Sequence, residues 1–216
     1  MVTIVVDAAV AATERGAVDA AAKLLADALD EAGMRASVEV RWRDGLASLD
    51  ATHAPTIAVA SMQLELERDD EPLAATEARW RERLAPLVRE VPVVIVCTIL
   101  RQVAEPPRAG AEPGRMSRIE RIRRLDRMAI ELSHDTGARI ADVDCMVAHV
   151  GARRVGADHR LANAVVAEVA AWAIVRAVLA GGLDDLVAPE IQEAARASLG
   201  EPWNLAKFVS LRLARR

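Results

Sequence analysis

The sequence predicts an α/β domain of flavodoxin-like type: a three-layer sandwich with a five-stranded parallel sheet in the order 2-1-3-4-5 and a C-terminal helical extension. Short β-branched runs alternate with stretches of helical spacing, which is the pattern of a parallel sheet wound on both faces. The runs are nearly continuous in Val, Ile and Ala, as strands buried on both sides are. The length, 216 residues, suffices for one full core.

The strands are expected at Thr3–Val6, Ser37–Arg41, Thr56–Ala60, Val93–Thr98 and Arg139–Val143. The first helix, Ala17–Ala32, gathers Val18, Leu24, Leu25, Ala28 and Leu29 on one side, and Gly33 provides its stop. Thr76–Val88 repeats Trp80, Leu84, Leu87 and Val88 at helical intervals. Ser117–Leu132 carries Ile119, Ile122, Leu125, Met128, Ala129 and Leu132, with Ser117 and Glu120 placed for a capping box. Leu161–Leu179 is a long, largely apolar helix stopped by Gly181 and Gly182. Gln102–Gly114, rich in Pro and Gly, reads as a long loop or a lid. The expected division is a main domain over 1–182 and a helical appendage over 183–216.

Composition excludes several classes. Apolar residues make up 52% and charged residues 28%, which is globular and not disordered. A net charge of −4 argues against nucleic acid as a partner. No apolar run is long enough to span a bilayer. Four Trp and one Phe are too few for a base- or sugar-stacking platform. Cys97 and Cys145 form neither a disulfide framework nor a zinc site, so no metal or cofactor is expected and the cytoplasm is the expected location. The tail Trp203–Arg216 is amphipathic, suited to packing on its own domain or on a sister subunit, which leaves a homo-oligomer open.

Ligands of such sheets bind beyond the carboxyl ends of the strands. That places Asp7 and Ala8, then Arg43, Asp44 and Gly45, then Ser61, Met62 and Gln63, then Thr98 and Arg101, then Asp144 and the loop Gly151–His159 around one site. Neither a dinucleotide fingerprint nor a P-loop is present.

In order and spacing over about residues 2–180, these blocks resemble the SGNH, or GDSL-type, hydrolases. Val6-Asp7-Ala8 stands where that family has Gly-Asp-Ser, so the nucleophile position is Ala8. Arg43-Asp44-Gly45-Leu46 matches the second block and nominates Gly45 as an oxyanion donor. Ser61-Met62-Gln63-Leu64 stands in for Gly-x-Asn-Asp, with Gln63 offering an amide. Asp158-His159 supplies the residue types of the final Asp-x-x-His, but adjacent. The resemblance implies an esterase or O-acyl hydrolase acting on a small ester or acylated substrate. His159 would be its base, and Asp158, or Asp142 or Asp144 instead, its orienting carboxylate.

A serine hydroxyl attacks a carbonyl only when a base accepts its proton and donors await the oxyanion. Ala8 has no hydroxyl. Either the serine has been lost naturally or it has been replaced, and Val6, where the family has Gly, favours natural loss. The alternative function is a catalytically inactive relative that keeps the cleft for a small anionic ligand or a protein partner. Ser61 and Thr98 are the other hydroxyls near the expected site. Asp158 is also a candidate cap for the long helix, and Asp142 and Asp144 fall on one side of strand five if it runs to Val143. Arg115, Arg118, Arg121, Arg123, Arg124 and Arg127, with Arg101 and Arg108, form either a solvated helix face or a grip for phosphate or carboxylate, as on a nucleotide-linked, coenzyme A or carrier-protein substrate.

Overall fold

A computed structural model of the protein describes residues 1–68, 71–102, 116–153 and 155–200. The elements in chain order are β1 (Val2–Ala9), α1 (Arg15–Glu31), β2 (Ala36–Trp42), β3 (Ile57–Ser61), α2 (Leu73–Glu90), β4 (Val93–Cys97), α3 (Arg118–Thr136), β5 (Arg139–Ala141), α4 (Val143–Val150), α5 (Ala164–Leu179) and α6 (Pro189–Leu199), with short 3₁₀ turns at Ala12–Glu14, Leu46–Ser48 and Met62–Glu65. The five strands are parallel and lie in the order β2-β1-β3-β4-β5. This is the expected flavodoxin-like sheet.

The period of two along each strand separates two cores. Ile4, Val6 and Ala8 of β1, Ile57 and Val59 of β3, and Val93, Ile95 and Cys97 of β4 face the layer of α1, α4, α5 and α6. Ala9, Ala58, Ala60, Val94 and Val96 face α2 and α3. Central strands thus bury both faces, which is why they read as unbroken apolar runs. α5 is buried nearly all round because α1, α4, α6 and the sheet surround it. Its sequence lacks a polar stripe for the same reason.

Several boundaries differ from expectation. β1 runs three residues beyond Val6, to Ala9, because pairing with β2 and β3 continues through Asp7 and Ala8. β5 stops at Ala141, and Asp142 instead N-caps α4, its carboxylate accepting the Cys145 N–H at 2.9 Å. Strand alternation therefore does not relate Asp142 to Asp144, which lies in the first turn of a helix that sequence periodicity missed. Nor does Asp158 cap α5. That helix starts at Ala164, and Asn163 accepts the Val165 N–H at 2.9 Å. Ser117 does cap α3, accepting the Glu120 N–H at 3.2 Å.

Within 183–200, Leu183, Val187, Ala195 and Leu199 join the core on the α1 and α5 side. The tail 203–216 and most of the loop 102–114 lie outside the described residues. No helix among the described residues is long and apolar enough to cross a membrane.

Leu125 of α3 is fully buried in the α2 and α3 core. Leu125→Ala should lower stability by about 2–5 kcal/mol, measured as a shift of the urea midpoint at unchanged slope.

Candidate functional site

The extension of β1 decides where the first candidate residues fall. Ala8 is 1% exposed, paired with Trp42 and Val59 in the ladder, and its methyl group faces the α1 and α5 core. Asp7 is also inside the strand and is fully buried, so it does not stand at a site mouth. Burying a carboxylate is costly unless it is paired. Its partner is Arg43, just past β2, whose Nε and Nη2 both donate to Asp7 Oδ2 at 2.9 and 2.6 Å.

Beyond Ala9 the chain turns through Ala12–Glu14, bringing a second carboxylate under the sheet edge. Glu14 is 5% exposed. It accepts the Ala11 N–H at 2.9 Å through Oε2 and the Ser61 hydroxyl at 2.7 Å through Oε1. Burial outweighs these two bonds and pushes its carboxyl up to about 7. Ser61 is fully buried, and its Oγ also accepts the Gln63 N–H at 3.1 Å. Cys97, beside Ser61 in the ladder, has its thiol pushed up by burial and by the neighbouring Glu14. Glu14 escaped the sequence reading because no Ser or Thr three residues earlier marks its turn as a cap.

A second cluster lies past β4 and β5. The Arg101 N–H donates to Asp144 Oδ1 at 2.8 Å and its Nε to Asp144 Oδ2 at 2.7 Å. Thr98 Oγ1 lies 3.4 Å from Asp142 Oδ1. Asp126, reaching in from α3, accepts the Ile99 N–H at 2.7 Å. Burial pushes the Asp126 carboxyl up to about 7, against that bond and with help from the Asp144 charge.

His159 is 2% exposed and attached to this cluster, its N–H donating to the Gln102 carbonyl at 2.8 Å. Its Nδ1 lies 3.1 Å from Asp158 Oδ1, at ion-pair distance but off the line of a hydrogen bond. Its Nε2 lies 3.3 Å from Arg118 Nη1. The expected Asp158–His159 partnership is thus present as proximity. The guanidinium, however, occupies the direction from which a general base would accept a proton. His159 hangs from the segment after β4, and β3 separates β4 from β1. Among the described residues no hydrogen bond links His159 to Asp7, Ala8 or Glu14.

The two expected oxyanion donors, Gly45 and Gln63, have different surroundings. The Gly45 N–H is engaged with the Arg43 carbonyl at 3.0 Å, while the residue's φ of 80° supplies the turn into Leu46–Ser48. Gln63 is 5% exposed, and its Oε1 is buried without a hydrogen-bond partner among the described residues. The arginine run also divides. Arg121 is buried and donates to the carbonyls of Glu65 and Arg68, tying α3 to the turn after β3. Arg124 and Arg127 pair with Glu120 and Glu131 on their own helix. Arg118 alone of the described run is seen beside a candidate site residue. Arg108 and Arg115 lie outside the described residues.

No protein-family model and no curated protein sequence matches the chain. Among solved structures it is similar to a chain described as "a putative SGNH hydrolase from Slackia heliotrinireducens", at 17% identity and a TM-score of 0.53, covering 82% of this chain and 98% of the other. The likeness is one of fold: a five-stranded parallel sheet flanked by helices.

The raised carboxyls give stability a defined pH dependence. An acid whose folded value lies above its unfolded one binds more protons when folded, so stability falls as pH rises between the two values. For Glu14 that window runs from its ordinary 4.5 to about 7, and for Asp126 from 3.8 to about 7. Each should contribute a decline of at most about 1.4 kcal/mol per pH unit. Denaturant melts across this range should show a shallower decline in Glu14→Gln than in the unsubstituted chain.

Proposed function

We propose that this chain is an SGNH-like α/β protein that holds a small anionic ligand at the carboxyl edge of its sheet and does not hydrolyse esters through a serine on strand one. The observation that carries the reading is Ala8, a methyl group 1% exposed within a paired strand. A serine there would present its hydroxyl to the helical layer. The ligand-facing groups are Arg101 and Arg118, gathered with Asp144 and His159 past β4. Arginine pairs favour planar carboxylate or phosphate oxygens, which they bind with two parallel bonds. The two free thiols, Cys97 and Cys145, suit a reducing, cytoplasmic setting.

A second reading keeps the esterase or O-acyl chemistry of the fold's namesakes, and the Ser61–Glu14 pair favours it. A hydroxyl 2.7 Å from a carboxylate that titrates near 7 has the elements of a nucleophile and its base. Against it, Ser61 is fully buried and its oxygen already accepts a backbone bond.

Two measurements separate the readings. The unsubstituted chain and Ala8→Ser should both leave a short-chain aryl ester intact. Turnover by the unsubstituted chain that disappears in Ser61→Ala would establish the hydrolase instead. Inorganic phosphate or acetate should raise the melting temperature of the unsubstituted chain, and Arg118→Ala should abolish most of that rise. An equal rise in both proteins would remove Arg118 from the site.

A further inference from the structure

β2 is the terminal strand of the sheet, with β1 on one side. Two bonds fix which of its backbone groups face outward. The Val2 N–H donates to the Arg35 carbonyl at 3.1 Å, and the Arg43 N–H donates to the Ala8 carbonyl at 2.9 Å. In a parallel ladder the residues that bond to a given neighbour alternate along the strand. The odd-numbered residues from Arg35 to Arg43 therefore face β1, and the N–H and C=O groups of Ala36, Val38, Val40 and Trp42 point away from the sheet. Among the described residues no backbone group pairs with that outer edge.

We infer that this edge pairs antiparallel with β2 of a second copy, about a two-fold axis at Val40. The side chains select that register. With Val40 on the axis, Val40 faces its own copy and Val38 faces Trp42 of the other chain. These are outward-facing residues, so each such pair exchanges two hydrogen bonds. Glu39 then faces Arg41 of the other chain, and Arg41 faces its Glu39. Both fall at the non-hydrogen-bonded positions, where opposed side chains approach most closely.

Neighbouring registers bring like charges together. An axis at Glu39 opposes two glutamates, an axis at Arg41 opposes two arginines, an axis at Val38 sets Arg41 against Arg35, and an axis at Trp42 sets Arg41 against Arg43. Within one chain Arg41 Nε already holds Glu39 Oε1 at 2.9 Å, with the two side chains 34% and 55% exposed. Pairing converts this exposed contact into two reciprocal ones.

The opposite face of the strand agrees. Val38, Val40 and Trp42 line a groove of about 410 Å³ against α1, with Asp19 and Lys23 on its helical wall. An antiparallel partner continues the apolar floor of the groove with its own Val38, Val40 and Trp42 and brings its own α1 alongside in the reversed direction. An edge guarded only by charge would repel another strand in every register. With the axis at Val40 every charged pair on the strand is complementary, whereas each of the four axes beside it opposes at least one like-charged pair.

The test is the molar mass of the full chain by light scattering, with far-UV circular dichroism confirming that each variant is folded. The unsubstituted chain should run at twice its monomer mass. Glu39→Arg and Arg41→Glu should each run as monomers, since each sets like charges face to face. Mixing the two monomeric variants should restore the doubled mass, because the arginines of one then face the glutamates of the other. The double variant Glu39→Arg/Arg41→Glu should also dimerise. A monomeric unsubstituted chain, a dimer that survives both single changes, or folded single variants that fail to recombine on mixing would overturn the pairing.

Discussion

The Asp7–Arg43 ion pair is the constraint on which the carboxyl edge of the sheet depends. A carboxylate fully buried in β1 is tolerable only because a guanidinium reaches it from the end of the neighbouring strand. That requirement fixes how far β1 and β2 run together. Arg43, just past β2, stays tied to β1 through its N–H, which bonds to the Ala8 carbonyl. Pairing is thus carried past the point at which a nucleophile would leave the sheet. The same bond network gives the Gly45 N–H an intramolecular partner, the Arg43 carbonyl. One buried charge therefore accounts both for Ala8 lying inside a strand and for Gly45 being engaged.

Polar groups beneath the edge form two separate systems. Glu14 with Ser61 lies below β1 and β3, held by a turn after β1. Arg101, Asp144, Asp126 and His159 lie past β4 and β5. The first is enclosed and rich in hydroxyl and carboxyl groups. The second carries an Arg101 side chain that is 58% exposed and so has access to solvent. The buried hydroxyl–carboxyl pair and the solvent-accessible arginine therefore lie in different places in this chain. In a serine hydrolase, nucleophile, base and oxyanion donors must meet within hydrogen-bond reach of one carbonyl.

The architecture was legible in the sequence because its signals are repetitive. Five apolar runs and their intervening helices each offered many residues of evidence; the alternation implied a parallel sheet, and the strand order came from the flavodoxin-like type that five such strands suit. The site was less legible because it turns on single positions. The apolar run of β1 breaks at Asp7, so the strand reads as ending there, although Arg43, far away in sequence, lets it continue. The alternation that paired Asp142 with Asp144 required a longer fifth strand, but Asp142 ends β5 by capping α4. Asp158 beside Leu161–Leu179 looked like a cap, whereas Asn163 lies next to the helix and does that work. Asp158 beside His159 is plain from the sequence, but Arg118 at the His159 Nε2 comes from α3 and leaves no local trace.

Arginine usage shows the same limit. As a run, Arg118 to Arg127 suggests one electrostatic surface, yet Arg118, Arg121, Arg124 and Arg127 meet three different kinds of neighbour. Arg121 is buried and satisfies carbonyls at the end of the turn after β3, which makes it a structural tie. Arg124 and Arg127 sit one turn from acidic partners and are half-exposed or more, so they add little stability. Arg118, in the first turn of α3, is at the unfavourable end of the helix dipole for a cation. There its Nη1 lies 3.3 Å from His159 Nε2. Neighbouring arginines of one run thus answer to backbone carbonyls, to a carboxylate one turn away and to an imidazole from another segment, and it is the fold, not the run, that assigns them.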